Sequence, residues 1–278
     1  MTTKDGVTID NLRPEDLIIS EGKTGHEILK LESRKESPLS IAVLIDTSAS
    51  QEHTLAGTKL AAREFVRSIL GSDKDRASVI AFTSQATVEQ DWTNDLTKLL
   101  AAIDRIKIVL PPGYIGGGVV VGPRPLSKDI PGATALWDSV EATVKGFQDD
   151  GSRRVIVLLT DGEDTYSRAS VGDATERAAV SNVAVFSIGI ADEKSYRLHR
   201  EQLQKLSAET GGRAFFPKQV AELEEIFLQT RKDLQSQFAL SYCGAGTRAS
   251  KPIKIKVDLR NPALIQSKPR LSYPRYTY

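Results

Sequence analysis

Ile41-Ala42-Val43-Leu44-Ile45-Asp46-Thr47-Ser48-Ala49-Ser50 opens with five apolar residues in a row and closes on a carboxylate and three hydroxyls. An unbroken apolar run of this length is the pattern of a strand buried on both faces, as in a mostly parallel sheet covered by helices. The design returns at Arg153-Arg154-Val155-Ile156-Val157-Leu158-Leu159-Thr160-Asp161. Two such strands, each ending in an aspartate, bring both carboxylates to the carboxyl rim of one sheet, where ligands of open α/β folds bind.

Working outward, Ala62, Phe65, Val66 and Ile69 recur at helical spacing ahead of Gly71, where a helix would stop. Ala77 to Phe82 and Thr87 to Asp91 read as strands joined by the polar turn Thr83-Ser84-Gln85, a hairpin that sets one antiparallel strand at the sheet edge. Leu96, Leu99, Leu100 and Ile103 mark a second amphipathic helix, and Leu136, Val140, Val144 and Phe147 a third after Thr134. Further strands fall at Asn182 to Gly189 and Arg213 to Phe216, and further helices at Leu198 to Ser207 and along Val220, Leu223, Phe227, Thr230 and Leu234. This alternation predicts an α/β fold with a doubly wound, mostly parallel sheet and helices on both faces, Rossmann-like in the broad sense. No Gly-x-Gly-x-x-Gly follows a strand and no Gly-Lys-Ser/Thr loop occurs, which disfavours a nucleotide.

Two regions stand outside the alternation. Residues 108–131 are rich in Gly and Pro and read as a long loop with a short strand at Val119 to Val121. The chain ends carry short strands at Val7 to Ile9, Leu17 to Ser20, His26 to Leu31, Phe238 to Tyr242 and Ile253 to Leu259. Neither end buries a core alone, so residues 1–37 and 237–278 are expected to pair into a small β-sandwich-like accessory domain that hosts residues 38–236.

The 278 residues and 40% hydrophobic content suffice for this arrangement. A balance of 37 basic and 36 acidic residues, net charge +1, gives no whole-chain field for nucleic acid or an anionic membrane. Cys243 is the single cysteine, which excludes an internal disulfide and a Cys-based zinc knuckle; it is expected to be a small, half-buried hydrophobe. The apolar runs are about a quarter of a membrane span, and Met1 to Gly6 has no apolar core behind its charge, so neither a span nor a signal peptide is expected in these residues.

Asp46, Ser48 and Ser50 after the first run, Asp161 after the second and Thr134 in Gly132-Ala133-Thr134 would meet at the rim. Two carboxylates with Ser and Thr hydroxyls, and no Cys or His, form a hard all-oxygen donor set that selects Mg²⁺, Mn²⁺ or Ca²⁺ over zinc or copper. Taken alone, Asp-x-Ser-x-Ser is more often a helix cap. No catalytic residue stands out: Ser48 and Ser50 sit in no Gly-x-Ser-x-Gly elbow, and His26, His53 and His199 are single and widely spaced. Glu163 and Asp164 read as an exposed acidic turn, with charge placed near a metal or towards a partner as the alternative, and Trp92 and Trp137 as packing residues.

Asp46-x-Ser48-x-Ser50, Gly132-Ala133-Thr134 and Leu158-Leu159-Thr160-Asp161-Gly162, in this order and context, make residues 38–236 resemble the von Willebrand factor A fold with its metal-ion-dependent adhesion site. The resemblance implies that Ser48, Ser50 and Thr134 bind a metal through hydroxyls, that Asp46 and Asp161 act largely through coordinated water, and that one position stays open for an acidic side chain of a partner. Ala49 stands where Gly is frequent and Gln51 where Met is common; neither alters the count of metal oxygens. The flanks, Leu12 to Gly22 and the tail through Arg270 to Arg275, are similar to bacterial, notably acidobacterial, von Willebrand factor A-related proteins, which implies an extracytoplasmic address. The implied function is a non-catalytic, metal-dependent module for a protein partner with an exposed Asp or Glu. The alternatives are a scaffold of an envelope assembly with a stabilising metal, and a Mg²⁺-dependent hydrolase.

Overall fold

The computed structural model describes residues 9, 11–110, 114–116, 119–120, 133–191, 197–219, 222–244, 252–267 and 269–277. The amino-terminal strands are β1 (Leu17–Glu21), β2 (Thr24–His26) and β3 (Ile28–Ser33). The central part runs β4 (Leu39–Asp46), α1 (Leu55–Ile69), β5 (Arg76–Phe82), β6 (Ala86–Thr93), α2 (Leu96–Arg105), β7 (Tyr114–Gly116), β8 (Val119–Val120) and α3 (Leu136–Lys145). It continues with β9 (Arg153–Thr160), α4 (Val171–Val180), β10 (Val183–Gly189), α5 (Arg200–Glu209), β11 (Ala214–Phe215) and α6 (Leu223–Gln235). The chain closes with β12 (Phe238–Tyr242), β13 (Ile253–Leu259), α7 (Pro262–Gln266) and β14 (Tyr276–Thr277).

Six strands form one sheet in the order β11-β10-β9-β4-β5-β6, all parallel except the edge strand β6. Every residue of β4 is buried, because helices cover both faces. On one face Phe65 of α1, Ile103 of α2 and Phe227 of α6 pack on Val43 and Val157. On the other, Leu136 of α3, Ala178 of α4 and Leu203 of α5 pack on Leu44 and Leu158. From β4 the chain winds outward through β5 and β6, then returns to β9 on the opposite side. Strand order therefore reverses between β4 and β9, and a crevice opens beyond their carboxyl ends.

Most expected elements are present, including the hairpin through Thr83-Ser84-Gln85, closed by the Thr83 N–H on the Gln85 carbonyl. Helix α4 was not foreseen. Its buried face is Ala174, Thr175, Ala178 and Ala179, small residues that leave little apolar periodicity, although Ser170 and Asp173 form a capping box at its start. The expected strand His26 to Leu31 is two strands broken at Glu27, with β2 pairing β1 and β3 pairing β12. In the long loop β7 pairs with β8, whereas Val121 lies outside the described residues, as do Val7, Thr8 and Val220.

Strands from both chain ends build a second, antiparallel sheet, β14-β13-β1-β2, accompanied by the ribbon β3-β12. Leu17, Ile19, Ile28 and Val257 form their shared core, with Leu240 and Tyr242 packed against it. Cys243 is exposed rather than half-buried, since it follows the last residue pair of the ribbon, Tyr242 with Ile28, and no layer covers it there. Arg153 ties the two connections between sheets: its guanidinium donates to the carbonyls of Ser37 and Leu234, while the Arg34 N–H reaches the Gln237 carbonyl at 2.8 Å. Arg153→Met removes charge-assisted bonds to half-buried carbonyls and should lower stability by about 2–3 kcal/mol in urea denaturation. An effect below about 0.5 kcal/mol would show that the guanidinium is not a structural tie.

Candidate metal site at the strand ends

Asp46 and Asp161 leave the sheet at neighbouring positions and are fully buried. Because Ile45 pairs with Leu159 in the parallel register, the carboxylate of one strand emerges beside the hydroxyl-bearing end of the other. Asp46 Oδ1 accepts the Ser48 N–H at 2.9 Å and the Ser48 hydroxyl at 2.6 Å, and Oδ2 accepts the Thr160 hydroxyl at 2.6 Å. Ser48 Oγ lies 3.0 Å from Ser50 Oγ. The single hydrogen of Ser48 is directed at Asp46, so Ser50 donates within that pair.

Asp161 is held from two sides. Its Oδ1 accepts the Glu163 N–H at 2.9 Å and its Oδ2 the Gln51 amide at 3.0 Å, and Gln51 Oε1 in turn accepts the Thr54 hydroxyl at 2.8 Å. The turn that follows needs glycine: Gly162 has φ +83°, and a Cβ there would meet Leu203 Cγ at 3.0 Å and His199 Cβ at 3.1 Å. Thr134 is buried and laced into the same rim, because its carbonyl accepts the N–H groups of Thr165 and Tyr166 and its own N–H donates to the Thr165 hydroxyl. The adjacent Ala135 N–H reaches the Thr83 carbonyl at the end of β5.

Asp46 is thus hydrogen-bonded to Ser48 and Ser48 to Ser50, the Asp161 carboxylate lies near enough to act on Asp46, and Thr134 is fastened to the segment that follows Asp161. Two further residues act here. Thr160 and Gln51 orient the two carboxylates, and neither is legible as a site residue, since a Thr at a strand end and a Gln after a Ser-rich turn carry no metal signal. Asp164 is not a mere acidic turn: its carboxylate accepts the Leu136 N–H at 2.8 Å and holds the open start of α3. His53 is exposed, and the His199 N–H donates to the Asp161 carbonyl.

Burial, and then the nearby Asp161 carboxylate, push the Asp46 carboxyl up to about 7. Burial and Asp161 likewise raise Glu163, against a smaller opposing effect of His199. The groups acting on Asp46 are another carboxylate, the Ser48 and Thr160 hydroxyls and the Ser48 N–H, with no cationic side chain among them. Among the described residues no three or more His, Cys, Asp and Glu side chains are grouped so that they could hold a metal ion by themselves. Two repelling carboxylates ringed by hydroxyl oxygens fit a hard divalent cation, which would supply the missing positive charge and accept Ser and Thr oxygens as ligands.

Comparison with known proteins bears on the fold. Two models described as von Willebrand factor type A domain match residues 41–163 and 127–229. The uncharacterized protein YwmC of Bacillus subtilis is 25% identical over 210 residues, covering 72% of this chain and 86% of that protein. Among solved structures, a von Willebrand factor type A protein from Catenulispora acidiphila aligns with TM-score 0.54 at 15% identity, over 81% of this chain and 51% of that one. Proximal thread matrix protein 1 from the mussel byssus, with a zinc-occupied MIDAS motif, aligns with TM-score 0.56 at 18% identity, over 77% of this chain and 49% of that one. These chains share the fold, and this chain spans about half the length of the two structures.

The like-charge pair has a measurable signature. Asp46 has a folded pKa raised above its ordinary 3.8, so the protein in chelator loses stability as pH rises from about 4 to about 7, and this loss levels off above that. In EDTA the stability of Asp46→Asn relative to wild type should therefore rise by about 1–2 kcal/mol between pH 4 and pH 8, on top of a pH-independent cost of setting an amide NH₂ against the Ser48 or Thr160 donors. Urea denaturation at both pH values decides it; a difference that does not change with pH would show that the two carboxylates do not strain one another.

Proposed function

We infer that this chain, matched by von Willebrand factor type A domain models at residues 41–163 and 127–229, is a non-catalytic binding module that takes an acidic side chain of a protein partner onto a divalent cation. Ser48, Ser50 and Thr134 would hold the cation through hydroxyl oxygens, with Asp46 and Asp161 supplying charge, largely through water. The observation that carries this reading is the pair of buried carboxylates joined to linked serine hydroxyls at the strand-order reversal. When bound, the cation supplies a positive charge and an open coordination position that a carboxylate can fill.

The residues around it have separable tasks. Thr160 turns Asp46 so that one oxygen faces the serines, and Gln51, itself fixed by Thr54, holds the Asp161 carboxylate in place. The mussel relative carries zinc at a site of this kind, but an all-oxygen donor set without His or Cys favours Mg²⁺ here. A binding role is favoured over hydrolysis because none of the described hydrogen bonds sets a histidine on the hydroxyl of Ser48 or Ser50. We place the capture outside the cytoplasm, the address that the flanking segments imply.

Mg²⁺ at a hundredfold excess over its Kd should stabilise the protein by about 2.7 kcal/mol, read as a rise in Tm. Asp161→Ala should abolish that rise. In a pull-down from the envelope fraction of the source cells, partner capture should require Mg²⁺ and fail in EDTA or with Asp161→Ala. Capture that survives EDTA sinks the proposal, and Mg²⁺ stabilisation with no effect on capture would make the metal purely structural. Phosphoester or ester turnover that needs Mg²⁺ and is lost in Asp46→Ala would make the module a hydrolase.

A further inference from the structure

At the opposite end of the six-stranded sheet, where β9 and β10 begin, a cavity of about 580 Å³ separates the sheet base from the inner face of the terminal strands. This volume lies within the range of small-molecule sites. Its apolar wall is built by Leu17, Ile19, Leu31 and Leu240. Its other wall is cationic: Arg34, Arg153, Arg154 and Arg270 face Asp233, the one acidic side chain among the described lining residues.

The charges on that wall are unequally matched. Arg154 is paired with Asp149, and Asp233 with Arg213. Among the described residues Arg34, Arg153 and Arg270 have no carboxylate at ion-pair distance. Arg34 and Arg153 donate instead to backbone carbonyls, Gly151 for the first and Ser37 and Leu234 for the second. The buried Nε of Arg34 has no hydrogen-bond partner. Burial holds the Arg153 guanidinium below its ordinary range and Arg34 adds to this, against the opposing Asp75 and Glu36 carboxylates; Arg270, exposed as a residue, is lowered by the partial desolvation of its head group and by Arg213, against the opposing Asp233.

Unmatched guanidinium groups facing an aliphatic wall define a ligand by complement: an anionic head on a hydrocarbon body. We propose that this cavity binds a small amphipathic monocarboxylate, its head on Arg34 and Arg270 and its chain along Leu17, Ile19 and Leu240. The planar guanidinium fork matches a carboxylate, and the low-dielectric wall strengthens the pair. The site is independent of the rim, from which the full length of β9 separates it.

Isothermal titration of the full chain in EDTA with decanoate, decanol and decyltrimethylammonium, each below its micellar range, tests this. The expected result is saturable binding of one decanoate, with decanol about tenfold weaker or worse and no binding of the ammonium. Arg270→Met, whose head group makes no described hydrogen bond, should weaken decanoate about tenfold with an unchanged melting curve, and Arg34→Met should act in the same direction. The proposal is overturned by absent saturable decanoate binding in the wild type, by equal binding of decanol, or by a folded Arg270→Met that binds as the wild type does.

Discussion

Two carboxylates buried side by side, at the ends of adjacent parallel strands, set the terms for the residues around them. Neither Asp46 nor Asp161 reaches bulk water, so every lone pair directed inward must find a donor. The donors come from the two strand ends themselves: Ser48 and Thr160 serve Asp46, and the Glu163 N–H and Gln51 serve Asp161. Their sequence spacing follows from this constraint. A serine two residues after Asp46 returns both its N–H and its hydroxyl to the carboxylate that precedes it, and a glycine after Asp161 admits a turn that any Cβ would block.

A pair of like charges under such restraint survives only in a rigid frame. The frame is the mid-section of β4 and β9, whose apolar residues are sealed by one layer of helices on each face. It is completed at the rim by backbone bonds between loops, the Val109 N–H to the Thr47 carbonyl and the Ala135 N–H to the Thr83 carbonyl among them. The loops bearing Ser48, Thr134 and Asp161 are thereby fastened to one another before any ligand arrives. Preorganisation of this kind lowers the ordering cost of binding, and a cation taken up there would add charge compensation to oxygens already in place.

The sequence made the sheet and the rim legible because both are written in strong, local signals. Runs such as Ile41 to Ile45 have one physical solution, a strand covered on both sides. Helix α4 escaped because an alanine-lined face packs closely without an apolar stripe, although its Ser170–Asp173 capping box was open to view. The break at Glu27 escaped because alternation along His26 to Leu31 does not reveal that the partner strand changes from β1 to β12. Gln51, Thr160 and Asp164 escaped for a third reason. Each acts through a partner more than 25 residues distant, Asp161, Asp46 and Leu136 respectively, and no local pattern records such pairings.

Strand β9 joins the two ends of the domain. It begins with Arg153-Arg154 at the cavity and ends at Thr160, just before Asp161 in the rim, with Val155 to Leu159 wholly buried between them. Eight residues of strand span roughly 26 Å. The net charge of +1 conceals a basic base and an acidic rim set apart along that length. Packing offers a route from one end to the other, by way of a rigid strand and the helices that cover it. Arg153 is well placed to feel such a change from the cavity side, because the same guanidinium that lines the cavity also holds the connections at Ser37 and Leu234 through which the terminal strands join the domain.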